Sequence, residues 1–193
     1  FNTSHSYTIV TQQKETVRLG EGEFLDDWLR PEPMQRAVLV CRKFAELARF
    51  YGASDIIAAA TAATREAGNQ AEFLSRLRQE AGLDVRVISG REEARLIYLG
   101  VASGFHLGEK RGLFIDIGGG STEIIVGTQT EYEYLDSLKL GAVRLTLLYL
   151  PEETGPISAN QYALLQRHVR HASIRTTQAL RPVSYTHLTL PTI

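Results

Sequence analysis

The amino-acid sequence predicts an α/β fold, on three observations. Short apolar runs at residues 55–60 and 85–88 alternate with segments whose apolar residues recur at helical spacing. Residues 113–126, LFIDIGGGSTEIIV, read as strand, glycine turn and strand. Residues 131–140 add a third strand, with Tyr132 and Tyr134 alternating.

Composition narrows the class. The 193 residues suffice for one ordinary domain or two small ones, and 44% of them are hydrophobic, as in a globular protein. Lys and Arg total 21 against 22 Asp and Glu, so the basic excess of a general nucleic-acid binder is missing. Cys41 is the single cysteine, which excludes an internal disulfide and fits a reducing, cytoplasmic compartment. No apolar run approaches the length of a membrane span.

In chain order, residues 7–11 and 16–19 read as an antiparallel ribbon with a polar turn at 12–15. Asn2-Thr3-Ser4 precedes it, and its residue types suit either a turn or a phosphate contact. Pro31 and Pro33 introduce a helix in which Met34, Ala37, Val38, Cys41, Phe44, Ala45 and Ala48 form one stripe before Gly52. Cys41 lies in that stripe as a small buried apolar residue. Residues 61–69, TAATREAGN, follow the strand at 55–60, at the end where α/β sheets place ligands. Arg65 is the cation there, and an anion contact and a solvated surface charge are equally open to it.

Asn69 is expected to cap a helix that carries Leu74 and Leu77 and stops at Gly82. Beyond the strand at 85–88, Ser89 to Glu92 matches a capping box, so the Glu92 carboxylate should turn back to the Ser89 N–H. Glu93 has no capping duty; the helix dipole favours a second acid in that first turn. Ala94, Ile97, Tyr98 and Val101 give this helix its inner face. Later, Gly141 leads into a helix at 142–150, residues 151–156 form a loop, and Ser158 caps a polar helix to about 180. His168 and His171 are three apart without an evident third ligand, and read as surface histidines.

The glycine turn carries the chemistry. Gly118, Gly119 and Gly120 permit unusual backbone angles and let a ligand touch the main chain. Successive N–H groups there, with Ser121, make a nest for phosphate. Asp116 and Glu123 bracket the nest with hard oxygen ligands of the kind Mg²⁺ prefers. A β-branched strand follows the glycines instead of a helix, and no Lys follows them, so this is neither a dinucleotide fingerprint nor a Walker A loop.

Together, residues 60–69 (ATAATREAGN), 87–98 (VISGREEARLIY), 116–123 (DIGGGSTE) and 140–145 (LGAVRL) resemble the exopolyphosphatase / guanosine pentaphosphatase (Ppx/GppA) family of the actin-like ATPase superfamily. The resemblance implies two actin-like, ribonuclease H-like lobes: a nearly complete first lobe over residues 1–112 and a partial second lobe over 113–181. It implies hydrolysis of terminal phosphate from polyphosphate or guanosine pentaphosphate, with Mg²⁺ as cofactor and a homodimer in the full-length form. Glu93 looks like the carboxylate that activates water, and Asp116 and Glu123 look like the metal acids. Asn2, Thr3, Arg65, Gly118, Gly119, Gly120 and Ser121 would contact phosphate.

The family's Asp and Gly ahead of the Asn-Thr loop have no counterpart before Asn2. Residues 182–193, PVSYTHLTLPTI, do not resemble the family's continuation and are expected to be a non-native tail. These departures keep two other functions open, a phosphate- or nucleotide-sensing module without turnover and an actin-like small-molecule kinase.

Overall fold

The computed structural model describes residues 8–150 and 155–180. Asn2, Thr3 and the tail at 182–193 lie outside the described residues. Two sheets organise the chain. In the first, β1 (Ala58–Ala60) pairs in parallel with β2 (Val85–Val87), Ala59 opposite Arg86. A parallel pair needs a crossover connection, supplied here by α3 (Ala62–Glu66) and α4 (Gln70–Ala81). Helix α4 ends at Gly82, which takes the left-handed conformation at φ 64° as a helix stop demands.

Helix α2 (Pro31–Phe50) begins on two prolines, whose fixed φ suits the first turn. Its Met34, Ala37 and Val38 pack with Leu29, Ala67, Phe73 and Leu77 into one core, with Cys41 at its edge. Asn69 does not cap α4 through its side chain. Its amide instead accepts from the Leu29 N–H at 2.9 Å and donates to the Leu29 carbonyl at 3.0 Å. Leu29 is fully buried, so its backbone groups need protein partners, and that demand outweighs the cap.

The ribbon expected at 7–11 and 16–19 does not form among the described residues. A strand needs a neighbouring ladder and a buried face. Ile9 and Val10 are 65% and 72% exposed, and the Val17 carbonyl accepts from the Arg36 side chain. A short helix, α1 (Glu23–Asp26), follows.

The second sheet is antiparallel, in the order β3 (Gly112–Ile117), β4 (Thr122–Gly127), β5 (Tyr132–Leu138). Helix α5 (Gly90–Gly104) covers one face, burying Ala94, Tyr98 and Ala102 against Ile125 and Leu135. The Tyr98 hydroxyl, carried into that core, donates to the Thr128 carbonyl. On the other face, Thr176 of α8 (Ile174–Leu180) donates to Asp136 of β5 at 2.7 Å.

Between them lie α6 (Ala142–Tyr149) and α7 (Ala159–Ala172). The single polar helix expected from 158 to 180 is split at Ser173, whose hydroxyl donates back to the Val169 carbonyl. Such back-bonding competes with the helical ladder. Ser158 caps α7 in a full capping box with Gln161. His168 joins α6 to α7 through the Tyr149 hydroxyl at 2.7 Å. No helix among the described residues is long and apolar enough to cross a membrane.

Candidate active site at the glycine hairpin

Strand register builds the site. Asp116 faces Glu123 on β4, and Glu123 faces Ser137 on β5. Residues directly opposite in an antiparallel sheet share a face, so the three form one row across it. Ile125 and Leu135 lie two residues along on that same face, beneath α5. The row therefore meets the N-terminus of α5.

Glu123 is 2% exposed and its carboxylate accepts from the Ser137 hydroxyl at 2.7 Å. Burial is the main cause that pushes its pKa above the ordinary carboxylate range. The hydroxyls of Ser137 and Ser121 act against that shift, while the neighbouring charges of Glu93 and Asp116 add to it. Gly90, the first residue of α5, lies against Ser137: a Cβ there would sit 2.5 Å from its Oγ and 2.6 Å from its Cβ. Glycine at 90 lets the helix end and the acidic row approach.

Ser89 caps α5, its hydroxyl accepting from the Glu92 N–H at 3.2 Å. The reciprocal half of the expected box is absent. The Glu92 carboxylate instead takes both nitrogens of the Arg95 fork at 2.8 Å, with Arg86 at 3.6 Å. A bidentate, charge-assisted pair outbids a single backbone N–H. Glu93 turns the other way and pairs with Arg65 at 3.0 Å, both side chains being largely buried. The same Arg65 nitrogen donates to the Ile88 carbonyl at 2.9 Å, which ties α3 to the start of α5.

The Gly118 N–H donates to the Ser121 carbonyl at 2.9 Å and closes the hairpin. None of Gly118, Gly119 and Gly120 has a positive φ, contrary to the expectation that unusual backbone angles require them. Space requires glycine at 120 instead, while a Cβ at 118 would come within 3.2 Å of the Ser121 carbonyl and one at 119 would make only ordinary contact with Val143. A Cβ on Gly120 would lie 2.6 Å from Phe24 and 2.9 Å from Ala62. Gly141 is as constrained, since a Cβ there would overlap the Gly119 carbonyl.

The structure thus brings Glu93, Arg65, Asp116, Glu123 and Ser121 to one region. Sequence reasoning left Ser137 out and gave no role to Gly90, Glu66 or Arg144 within the family motifs; the last two form a buried pair at 3.0 Å. Lys139 also reaches Glu66, at 2.7 Å. The sequence signal for Ser137 was its alternation with Leu135 on β5, legible only once β4 and β5 are in register. Among the described residues, no group of three or more His, Cys, Asp or Glu is drawn together as a metal cage.

These features define an α/β protein of the actin-like type with an acidic, glycine-lined site. The family model for the Ppx/GppA phosphatase family matches residues 2–186, and the chain belongs to that family. It is 34% identical over 179 residues to exopolyphosphatase 1 of Mycobacterium leprae, covering 91% of this chain and 52% of that protein. Over 159 residues it is also 34% identical to exopolyphosphatase 1 of Mycobacterium tuberculosis, covering 82% of this chain and 46% of the relative. The chain spans about half the length of these curated relatives. An exopolyphosphatase structure from Cytophaga hutchinsonii superposes with a TM-score of 0.85 at 27% identity, covering 90% of this chain and 55% of that one. The Aquifex aeolicus Ppx/GppA family member gives 0.67 at 27% identity, covering 88% and 54%.

Proposed function

We propose that this site serves hydrolysis of a terminal phosphoanhydride, in inorganic polyphosphate or guanosine pentaphosphate. One observation carries the reading: a carboxylate paired with a cation, Glu93 with Arg65, stands beside the acidic row headed by a glycine hairpin. Phosphoryl transfer asks for positioning and charge neutralisation more than covalent chemistry.

Glu93 orients a water on the terminal phosphorus and accepts its proton as the P–O bond forms. The bond from that phosphorus to the bridging oxygen breaks, orthophosphate leaves with the water oxygen, and the shortened chain keeps the bridging oxygen with its electron pair. Arg65 draws the substrate phosphates to that carboxylate. Gly118, Gly119, Gly120 and Ser121 supply the hairpin that receives them. Asp116 and Glu123 fit Mg²⁺ in kind, because that ion takes one or two carboxylates and leaves its other positions to water and phosphate. The repulsion that Glu93 and Asp116 exert on Glu123 is what a divalent cation would relieve. When bound, Mg²⁺ would neutralise the charge of the transferring phosphoryl group. Family membership is likewise the ground for expecting a cytoplasmic homodimer in the longer form.

The test is phosphate release from long-chain polyphosphate, with and without Mg²⁺. The protein is a chimera in which residues 8–180 replace the matching half of a full-length relative. Metal-dependent release supports the hydrolase; tight binding without release would establish a sensor in its place.

A further inference from the structure

The carbonyls of the glycine hairpin are all engaged on one side. The Gly118 carbonyl accepts from the Ala142 N–H at 2.9 Å, and the Gly119 carbonyl accepts from the Arg144 N–H at 3.0 Å. The Gly120 carbonyl accepts from the Arg144 Nε at 2.8 Å. A trans peptide points its C=O and the next N–H in opposite directions, and no peptide bond among the described residues is cis. The N–H groups of Gly119, Gly120 and Ser121 are therefore turned away from α6. Consecutive amides presented on one side form an anion nest, and Gly119 lies at its exposed edge.

Two of these carbonyls are held by backbone that any residue could supply. The third depends on a side chain. Arg144 is 7% exposed, its guanidinium lies 4.2 Å over the Phe24 ring, and its far nitrogen reaches Glu66 at 3.0 Å. Its guanidinium is thus held on two sides, and its Nε–H holds the Gly120–Ser121 peptide through the carbonyl. Lys has no Nε–H at that position and cannot reproduce the fork.

We propose that Arg144 is a positioning residue for phosphate: by holding the Gly120 carbonyl it aims the Ser121 amide at the anion without touching the anion itself. The proposal rests on the reading of the hairpin as a phosphate site. It predicts that Arg144 senses the ligand through the peptide, because a hydrogen-bonded chain polarises as a unit.

The experiment is a ¹H–¹⁵N titration of this chain with tripolyphosphate, following the Gly119, Gly120 and Ser121 amides and the Arg144 Nε–H. The expected result is that all four shift together with one saturation curve. Amides that shift while the Arg144 Nε–H stays still would overturn the role of Arg144 and leave the phosphate site standing. Amides that do not shift would overturn the phosphate site, and the proposal with it. Arg144→Lys should bind tripolyphosphate about tenfold more weakly, the scale of one charge-assisted hydrogen bond. Unchanged affinity in a folded variant would overturn the proposal. If that variant does not fold, the wild-type Nε–H signal decides alone.

Discussion

Glu92 and Glu93 stand side by side at the start of α5 and find different partners, Arg95 and Arg65. The 100° turn between successive helical residues separates them, and guanidinium placement does the rest. Glu93→Gln keeps a hydrogen-bond acceptor for Arg65 but takes up no proton. In the chimera, turnover should fall about 10²-fold or more, with the melting temperature little changed. Glu92→Gln should leave turnover nearly intact; an equal loss in both variants would remove Glu93 from its assigned role. Glu123 gives a prediction with a sign. Folding raises its pKa, so its charged form costs stability above that raised value and costs nothing below the ordinary carboxylate range. Stability from this group is greatest at low pH and declines as pH rises through the folded pKa. Glu123→Gln should therefore melt a few degrees above the wild type at neutral pH, with the gap closing toward pH 4. Calorimetry across that range, without divalent ions, checks it. The sequence showed these acids through residue type and spacing. It did not show Ser137, because a lone serine on a strand carries no chemical signal until a neighbouring strand sets what it faces.

Gly90 shows how an element is placed by one small residue. Alanine is the better helix former, yet at position 90 its Cβ would meet Ser137 at 2.5 Å. Gly90→Ala should lower stability by about 1–3 kcal/mol, the cost of forcing an extra carbon into a packed contact. Adding Ser137→Gly should recover part of that loss, as a double-mutant cycle in urea would reveal. Asn69 makes the converse point. If it only capped α4, Asn69→Ala would cost about 1 kcal/mol. Because it pairs both backbone groups of buried Leu29, the cost should reach about 2 kcal/mol or more. The helices α2, α4 and α5 and the hairpin β3–β4 were legible in sequence because periodicity and punctuation agree there. Ser89 as the cap of α5 was legible too, whereas the split at Ser173 and the loss of the reciprocal Glu92 contact were not. Each turns on a side chain choosing between two available partners.

Across the whole molecule, chain order and packing order differ. Helix α5 directly follows the parallel pair β1–β2, yet it rests on the antiparallel sheet. Periodicity announces that a helix has an apolar face but not which sheet receives it, so this arrangement was beyond the sequence. Three ion pairs tie α3 to the elements around the second sheet: Arg65 with Glu93 of α5, and Glu66 both with Arg144 of α6 and with Lys139. Adjacent residues of one five-residue helix thus reach both the start of α5 and the α6 arginine that holds the glycine hairpin. On the proposed reading, polyphosphate arriving at Arg65 would meet a cation already in use, and the outcome would be an exchange of partners. The anion would claim the guanidinium, and the Glu93 carboxylate would be set loose beside it. A ¹³C signal from the Glu93 carboxyl should move in step with tripolyphosphate addition, and a stationary signal would rule the exchange out. The ligand would then be what unmasks the base, and a site without substrate would hold its own reactive group in check.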